Sequence, residues 1–202
     1  MAPLFKISIT LLLICFNFNQ KPNIIQVKNN VYDILYSQDF EQPLQIKYDV
    51  QCNSKSTTYF SRKGLNFYKI QNIHTSDGLD YLSNVYDKGH LAPAATFSDN
   101  AENLKQTFSY LNCALQNQYL NRGEWRMLEE QVRKWDDSQT LVVKIILDFS
   151  NTSKKLPTGA TVPDGFHMFI KWSNTNKKEC YYFLNERPTT SWREHKSLRC
   201  QH

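Results

Sequence analysis

The chain has no Cys-x-x-Cys pair, no internal repeat and no low-complexity tract, and beyond residue 20 it has no apolar run of membrane-spanning length. The first absence removes the usual spacing of a structural zinc site. The next two remove solenoid and fibrous architectures. The last leaves only the N-terminus as a membrane-facing segment. There Lys6 precedes the apolar run Ile7 to Phe18 ("ISITLLLICFNF"), which is short for a bilayer span and has the shape of a targeting leader. Residues 1–20 are therefore read as a signal peptide or N-terminal targeting segment, 21–30 as a polar lead-in, and 31–202 as one folded domain. Phe16-Asn17-Phe18-Asn19 lacks the small residues that signal peptidase prefers, so an uncleaved anchor is the alternative. The expected location is outside the cell or within an organelle, with no stable membrane association once the leader is gone.

What is present is a chain of 202 residues with a formal net charge of +5. That length suits a single core, and that charge favours an anionic partner without locating a patch. Five cysteines occur; with Cys15 in the leader, Cys52, Cys113, Cys180 and Cys200 remain as disulfide candidates. Their pairing is open among three possibilities. Cys113 lies in an apolar neighbourhood and equally suits a small buried thiol.

From Val31 onward, "VYDILY", "LQIKYDV" and "STTYFSRK" are rich in β-branched and aromatic residues and read as short strands. "QNIHTSDG" marks a loop. "YLSNVYDKGHL" and "FSYLN" are further strand expectations, the first closed by Pro93. Then the period changes. Trp125, Leu128, Val132 and Trp135 recur at three- and four-residue steps, one side of a helix of roughly three turns. Glu129 and Glu130 stand four residues ahead of Arg133 and Lys134, a spacing that favours pairing along it. "TLVVKIILDF", "FHMFIKW" and "CYYFLN" follow as strands. The whole is an α+β mixture.

The chemistry concentrates between Val85 and Trp135. A histidine at a strand end before a proline turn, held fixed and exposed, can take a proton from water. An asparagine offers a neutral oxygen to a hard cation that keeps most of its waters, and a nearby carboxylate can hold those waters. With a basic side chain for phosphate charge, these groups make a phosphodiester-cleaving site. Asn121-Arg122-Gly123 by itself is equally a turn and helix cap, and Trp125 and Leu128 are read as core.

In "YDKGHLAPAA", "FSYLN" and "QNQYLNRGEWRMLE" the chain resembles the DNA/RNA non-specific endonucleases of the ββα-metal class, a group that includes a secreted bacterial nuclease and mitochondrial endonuclease G. "TGATVPDGFHMFIKW" and "YYFLNERP" extend the likeness more loosely. The resemblance implies a single α+β domain with a ββα-metal finger core on a mostly antiparallel sheet. It implies a magnesium-dependent endonuclease, manganese being the alternative ion, that acts on DNA and RNA and leaves 5′-phosphates. On that reading His90 is the general base, Asn121 the metal ligand and Glu129 the carboxylate that orients metal-bound water. Asn112 and Gln116 support the site, Gln116 toward the substrate, and Lys88 and Arg62 act on phosphate charge; Arg122 is a substrate-contact candidate on its basic side chain alone. Asp87 shapes the motif and Gly89 permits close backbone approach.

This sequence departs from the family pattern in places. Lys88 stands where the family has arginine, keeping the charge without the bidentate fork. Arg62 is only an approximate counterpart of an upstream family arginine. "NCALQ" replaces an asparagine-to-proline turn, and Leu147-Asp148-Phe149 replaces a T-G-P. Two other readings follow: a homologue that binds nucleic acid without cutting, and a secreted disulfide-stapled surface domain. Lys63 and Lys69 are candidates for a phosphate track, and Asn151-Thr152-Ser153 fits the glycosylation pattern. His74, His167, His195 and His202 are read as ordinary surface or hydrogen-bonded residues.

Overall fold

A computed structural model describes residues 23–50, 58–136 and 140–197. The leader, Cys52, Cys200 and His202 lie outside the described residues. In chain order the strands are β1 (Ile24–Lys28), β2 (Asp33–Ser37), β3 (Gln42–Asp49), β4 (Tyr86–His90), β5 (Cys113–Asn117), β6 (Leu141–Asp148), β7 (Gly165–Trp172) and β8 (Lys178–Leu184). The helices are α1 (Ala101–Gln106), a short α2 (Gln118–Leu120) and α3 (Arg126–Asp136), with a π turn over Asn121–Trp125 between the last two. No helix among the described residues is long and apolar enough to cross a membrane.

Six strands form one sheet in the order β1-β2-β3-β6-β7-β8, and every pairing in it is antiparallel. The alternation expected of a sheet with one covered face is clear in β6, where Leu141, Val143, Ile145 and Leu147 are buried and the residues between them are partly exposed. β4 and β5 form a separate antiparallel pair, in register Asp87↔Gln116 and His90↔Cys113. β5 leads directly through the π turn into α3, so β4, β5 and α3 make the ββα unit. Leu120, Trp125, Leu128 and Val132 share a core with Ile46, Val143, Phe166 and Phe183 of the sheet. The Trp125 ring sits 5.5 Å from Phe166 and 5.7 Å from Phe183, centroid to centroid. The free edge of β5 is covered by side chains: Leu115 N donates to Gln42 Oε1 (3.0 Å), and Asn185 Nδ2 donates to Leu115 O (2.9 Å).

Several local expectations need correction. The polar lead-in contains a strand, Ile24–Lys28, whose alternating half-exposed pattern is that of a sheet edge. "FSYLN" is not a strand: Tyr110–Asn112 is a 3-10 turn capped by the Ser109 hydroxyl, and the strand begins at Cys113. The described part of "STTYFSRK" has no regular structure. On α3 the ion pair is Arg126 with Glu130, not the pairings read from the sequence. Cys113 is a free buried thiol whose sulfur contacts the Tyr81 hydroxyl at 3.1 Å, which removes it from the disulfide candidates. Cys180 is buried and disulfide-bonded.

Gly89 shows close approach in its strict form. A Cβ there would lie 2.4 Å from Gln116 Oε1 and 2.6 Å from Gln116 Cβ. Because the second contact is to the base of the side chain, a rotamer change cannot relieve it. Gly89→Ala is expected to cost about 1–3 kcal/mol of stability, read as a lowered urea midpoint. A midpoint equal to wild type would show that β4 and β5 have room to part.

Candidate active site

β4 ends at His90, the π turn carries Asn121, and the first turn of α3 carries Glu129, so three elements deliver one side chain each to a cavity of about 540 Å³. Arg62, Arg122, Arg126, Glu130 and Arg133 line the same cavity. A second cavity of about 610 Å³, lined by Lys63, Phe67, Tyr81, Asp87 and Lys88, shares Arg62, His90 and Asn121 with the first.

The order of this cluster comes largely from Asp87. Its Oδ2 accepts from Asn121 Nδ2 at 2.9 Å and from Arg122 Nε at 2.8 Å, while its Oδ1 accepts from Arg122 Nη2 at 2.6 Å. Burial alone would raise the Asp87 pKa, but the hydrogen bonds from Arg122 and Asn121 and the guanidinium charge outweigh it and hold it below the ordinary carboxylate value. With its amide nitrogen turned to Asp87, Asn121 has its oxygen left as the acceptor that faces elsewhere. Arg122, expected on substrate, is committed to this two-point pair at the cavity wall.

His90 is partly buried, not exposed as the strand-end reading implied. Its ring packs beside Phe67 (4.8 Å between centroids) and Phe108 (4.9 Å, edge-on), which also touch each other at 5.3 Å, so His90 sits on one side of that pair. Nε2 is sealed from solvent and has no hydrogen-bond partner. The ring therefore exchanges protons through Nδ1. Burial, assisted by the nearby charge of Arg62, pulls the His90 pKa down to about 4, so the imidazole is neutral at physiological pH.

Glu129 behaves oppositely. Burial pushes its pKa up to about 8, against the lowering effects of Arg133, the Trp125 hydrogen bond and Arg126 and with a further upward push from Glu130. Trp125, read from sequence as core alone, also donates its Nε1 proton to Glu129 Oε1 at 2.9 Å and thereby fixes the carboxyl. Glu129 and the Asn121 amide oxygen thus line one cavity as oxygen donors. Among the described residues no three His, Cys, Asp or Glu side chains cluster as a metal cage. The donor set fits a hard cation that retains its water and takes few protein ligands.

Other sequence-derived residues sit differently. Asn112 is fully buried: its Oδ1 accepts from Ala92 N (2.7 Å) and its Nδ2 donates to Ala92 O (2.9 Å) and Thr107 O (2.8 Å). It thus positions the loop after His90 and reaches neither cavity. Gln116, expected on substrate, is fully buried with both amide atoms unpartnered and packs against Gly89, so it cannot touch a ligand from there. Lys88 stays out of the first cavity; its Nζ lies 5.6–5.8 Å from the ring centres of Phe67, Tyr81 and Tyr110. Lys69 pairs with Asp77 at 2.9 Å, outside both cavities. His74, His167 and His195 are each engaged with local polar partners.

Arg126 and Arg133 were missed by the sequence reading, although a signal exists. Arg122, Arg126, Glu129 and Arg133 follow one another at steps of four, three and four, one face of the helix. The aromatic sleeve of Phe67 and Phe108 had no comparable signal.

A family model described as DNA/RNA non-specific endonuclease matches residues 15–200. Comparison with curated proteins gave no match. Among solved structures, a chain from "Crystal structure of the EndoG/EndoGI complex: Mechanism of EndoG inhibition" is similar to this one with a TM-score of 0.72 and 21% identity, over 89% of this chain and 82% of that chain. At that identity the likeness concerns the fold.

Proposed function

Because the chain belongs to the DNA/RNA non-specific endonuclease family, we propose that it is a magnesium-dependent endonuclease that hydrolyses phosphodiester bonds of DNA and RNA to 5′-phosphate products, with His90 as general base and Asn121 as metal ligand. The observation that carries this reading is the meeting of His90, Asn121 and Glu129 in one arginine-lined cavity.

In this scheme Asn121 would hold the cation through its amide oxygen and Glu129 would hold the cation's waters; manganese would suit the same oxygens. When bound, the cation supplies neutralising charge at the scissile phosphate and at the departing 3′ oxygen. His90, neutral and oriented by Phe67 and Phe108, accepts a proton at Nδ1 from the attacking water. Arg62, and Lys88 from the second cavity, attract the phosphate backbone. Contacts aimed at phosphate carry no base information, which accords with action on both nucleic acids. Cys180's disulfide supports an oxidising location, outside the cell or in a secretory-route organelle.

Purified protein should digest plasmid and RNA with magnesium and stop in chelator. Asn121→Ala should raise the magnesium concentration for half-maximal cutting at least about tenfold while leaving the far-ultraviolet spectrum unchanged. An unchanged magnesium requirement would remove Asn121 as ligand. A folded wild type that binds nucleic acid with magnesium yet cuts neither substrate would favour the non-cutting homologue.

A further inference from the structure

The two cavities meet at His90, since Arg62, His90 and Asn121 line both. A strand lying along this channel would meet cations on both sides of the junction: Arg133 in one arm, beside the Arg126–Glu130 ion pair, and Lys63 and Lys88 in the other. Arg133 Nη1 is buried without a hydrogen-bond partner, and Arg133 lines the first arm. Phosphate attraction alone would serve single and double strands alike. The wall of the first arm adds something else.

Phe60 lines that arm and is 44% exposed as a residue. Its backbone N donates to Ser98 O at 2.7 Å, which ties this stretch to the end of the Ala94–Phe97 turn. Among the described residues Phe60 pairs with no other ring, unlike Phe67 and Phe108 beside His90. Its neighbour Tyr59 is more exposed still. A lone exposed ring is ordinary on a protein surface. An exposed ring on the wall of an arginine-lined cavity that His90 also lines is the pairing of features by which proteins hold single strands. A duplex keeps its bases stacked inside and offers such a ring nothing.

Resting on the nuclease reading above, we propose that Phe60 is a stacking platform for an unpaired base beside the scissile phosphate, so that single-stranded nucleic acid is the preferred substrate of this site. Aromatic stacking tolerates every base, so the preference is for strandedness and not for sequence.

The test uses the full chain carrying His90→Ala, in chelator, with fluorescein-labelled DNA oligonucleotides. One is an ordinary single strand and another has the same length and phosphate charge with abasic central nucleotides. Adding Phe60→Ala should weaken binding of the ordinary strand by about fivefold to a hundredfold, leave the abasic strand unchanged, and be reversed by Phe60→Trp. With His90 restored, wild type should show a higher kcat/KM on single strands than on duplex, and Phe60→Ala should lose that ratio. Equal effects of Phe60→Ala on both oligonucleotides, or none on either, would overturn the stacking role. Failure of wild type to cut anything with magnesium would instead remove the nuclease reading, and the binding comparison would still decide the role of Phe60.

Discussion

His90→Ala is expected to lower the turnover of plasmid and RNA by about 10²–10⁴-fold, with the loss in kcat and little change in KM. The reason is geometric before it is electrostatic. The ring packs against the Phe67–Phe108 pair, and with Nε2 buried and unpartnered, Nδ1 is the nitrogen left for proton exchange. No other histidine lines either cavity to replace it. Because the ring's pKa lies near 4, the base form persists well below neutrality. Protonation of His90 should reduce cutting only as pH falls through about 4. A variant that retained wild-type kcat would exclude His90 as the base.

The second large effect concerns Glu129 in chelator. The folded chain holds this carboxyl protonated up to about pH 8, whereas the ordinary value is 4.5. Between those values unfolding releases a proton, so stability falls as pH rises from 4.5 to 8 and is level outside that window. The gap corresponds to at most about 5 kcal/mol. Glu129→Gln, which does not ionise, should lack this decline, so it should exceed chelated wild type in urea midpoint at pH 8.5 and approach it at pH 4.5. His90 contributes the opposite slope, with stability lost as pH falls from 6.5 through about 4, and it does so in both proteins, so the difference between them isolates Glu129. Parallel curves for the two proteins would mean that Glu129 is already ionised without a cation. On the proposed mechanism the same substitution should severely reduce cutting, so that one carboxyl would both cost the cation-free fold stability and serve the reaction.

The parts of this molecule that were legible in its sequence share a cause. His90, Asn121 and Glu129 lie within forty positions, in motifs whose likeness to the endonuclease family, more than spacing alone, pointed to them. β6, β7 and β8 were legible for the same reason: their apolar runs alternate. What failed depended on distant partners. "FSYLN" has strand composition, yet the Ser109 hydroxyl caps Leu111 N and the Asn112 amide reaches back to Ala92, turning the backbone before the strand can begin. Ile24–Lys28 looked unstructured because an edge strand buries little, and its pairing with Asp33–Ser37 is what makes it a strand. Gln116 drew a ligand role from its motif, but its burial is set by glycine on the opposite strand. The ring sleeve around His90 joins Phe67, upstream of β4, to Phe108, upstream of β5, and no local pattern announces it.

The side chains of Gln42 and Asn185 over β5 bear on how this protein behaves in a crowd. β4 and β5 form a two-stranded pair, which by itself leaves open ribs along its outer margin. Gln42 Oε1 takes the Leu115 N–H, Asn185 Nδ2 takes the Leu115 carbonyl, and Asn185 Oδ1 takes the Asn117 N–H at 2.7 Å. The groups by which a stranger's strand would recruit this one are thus already answered from within the same molecule. The margin beside the reaction centre is closed to β-templated aggregation by two amides that imitate a neighbouring backbone.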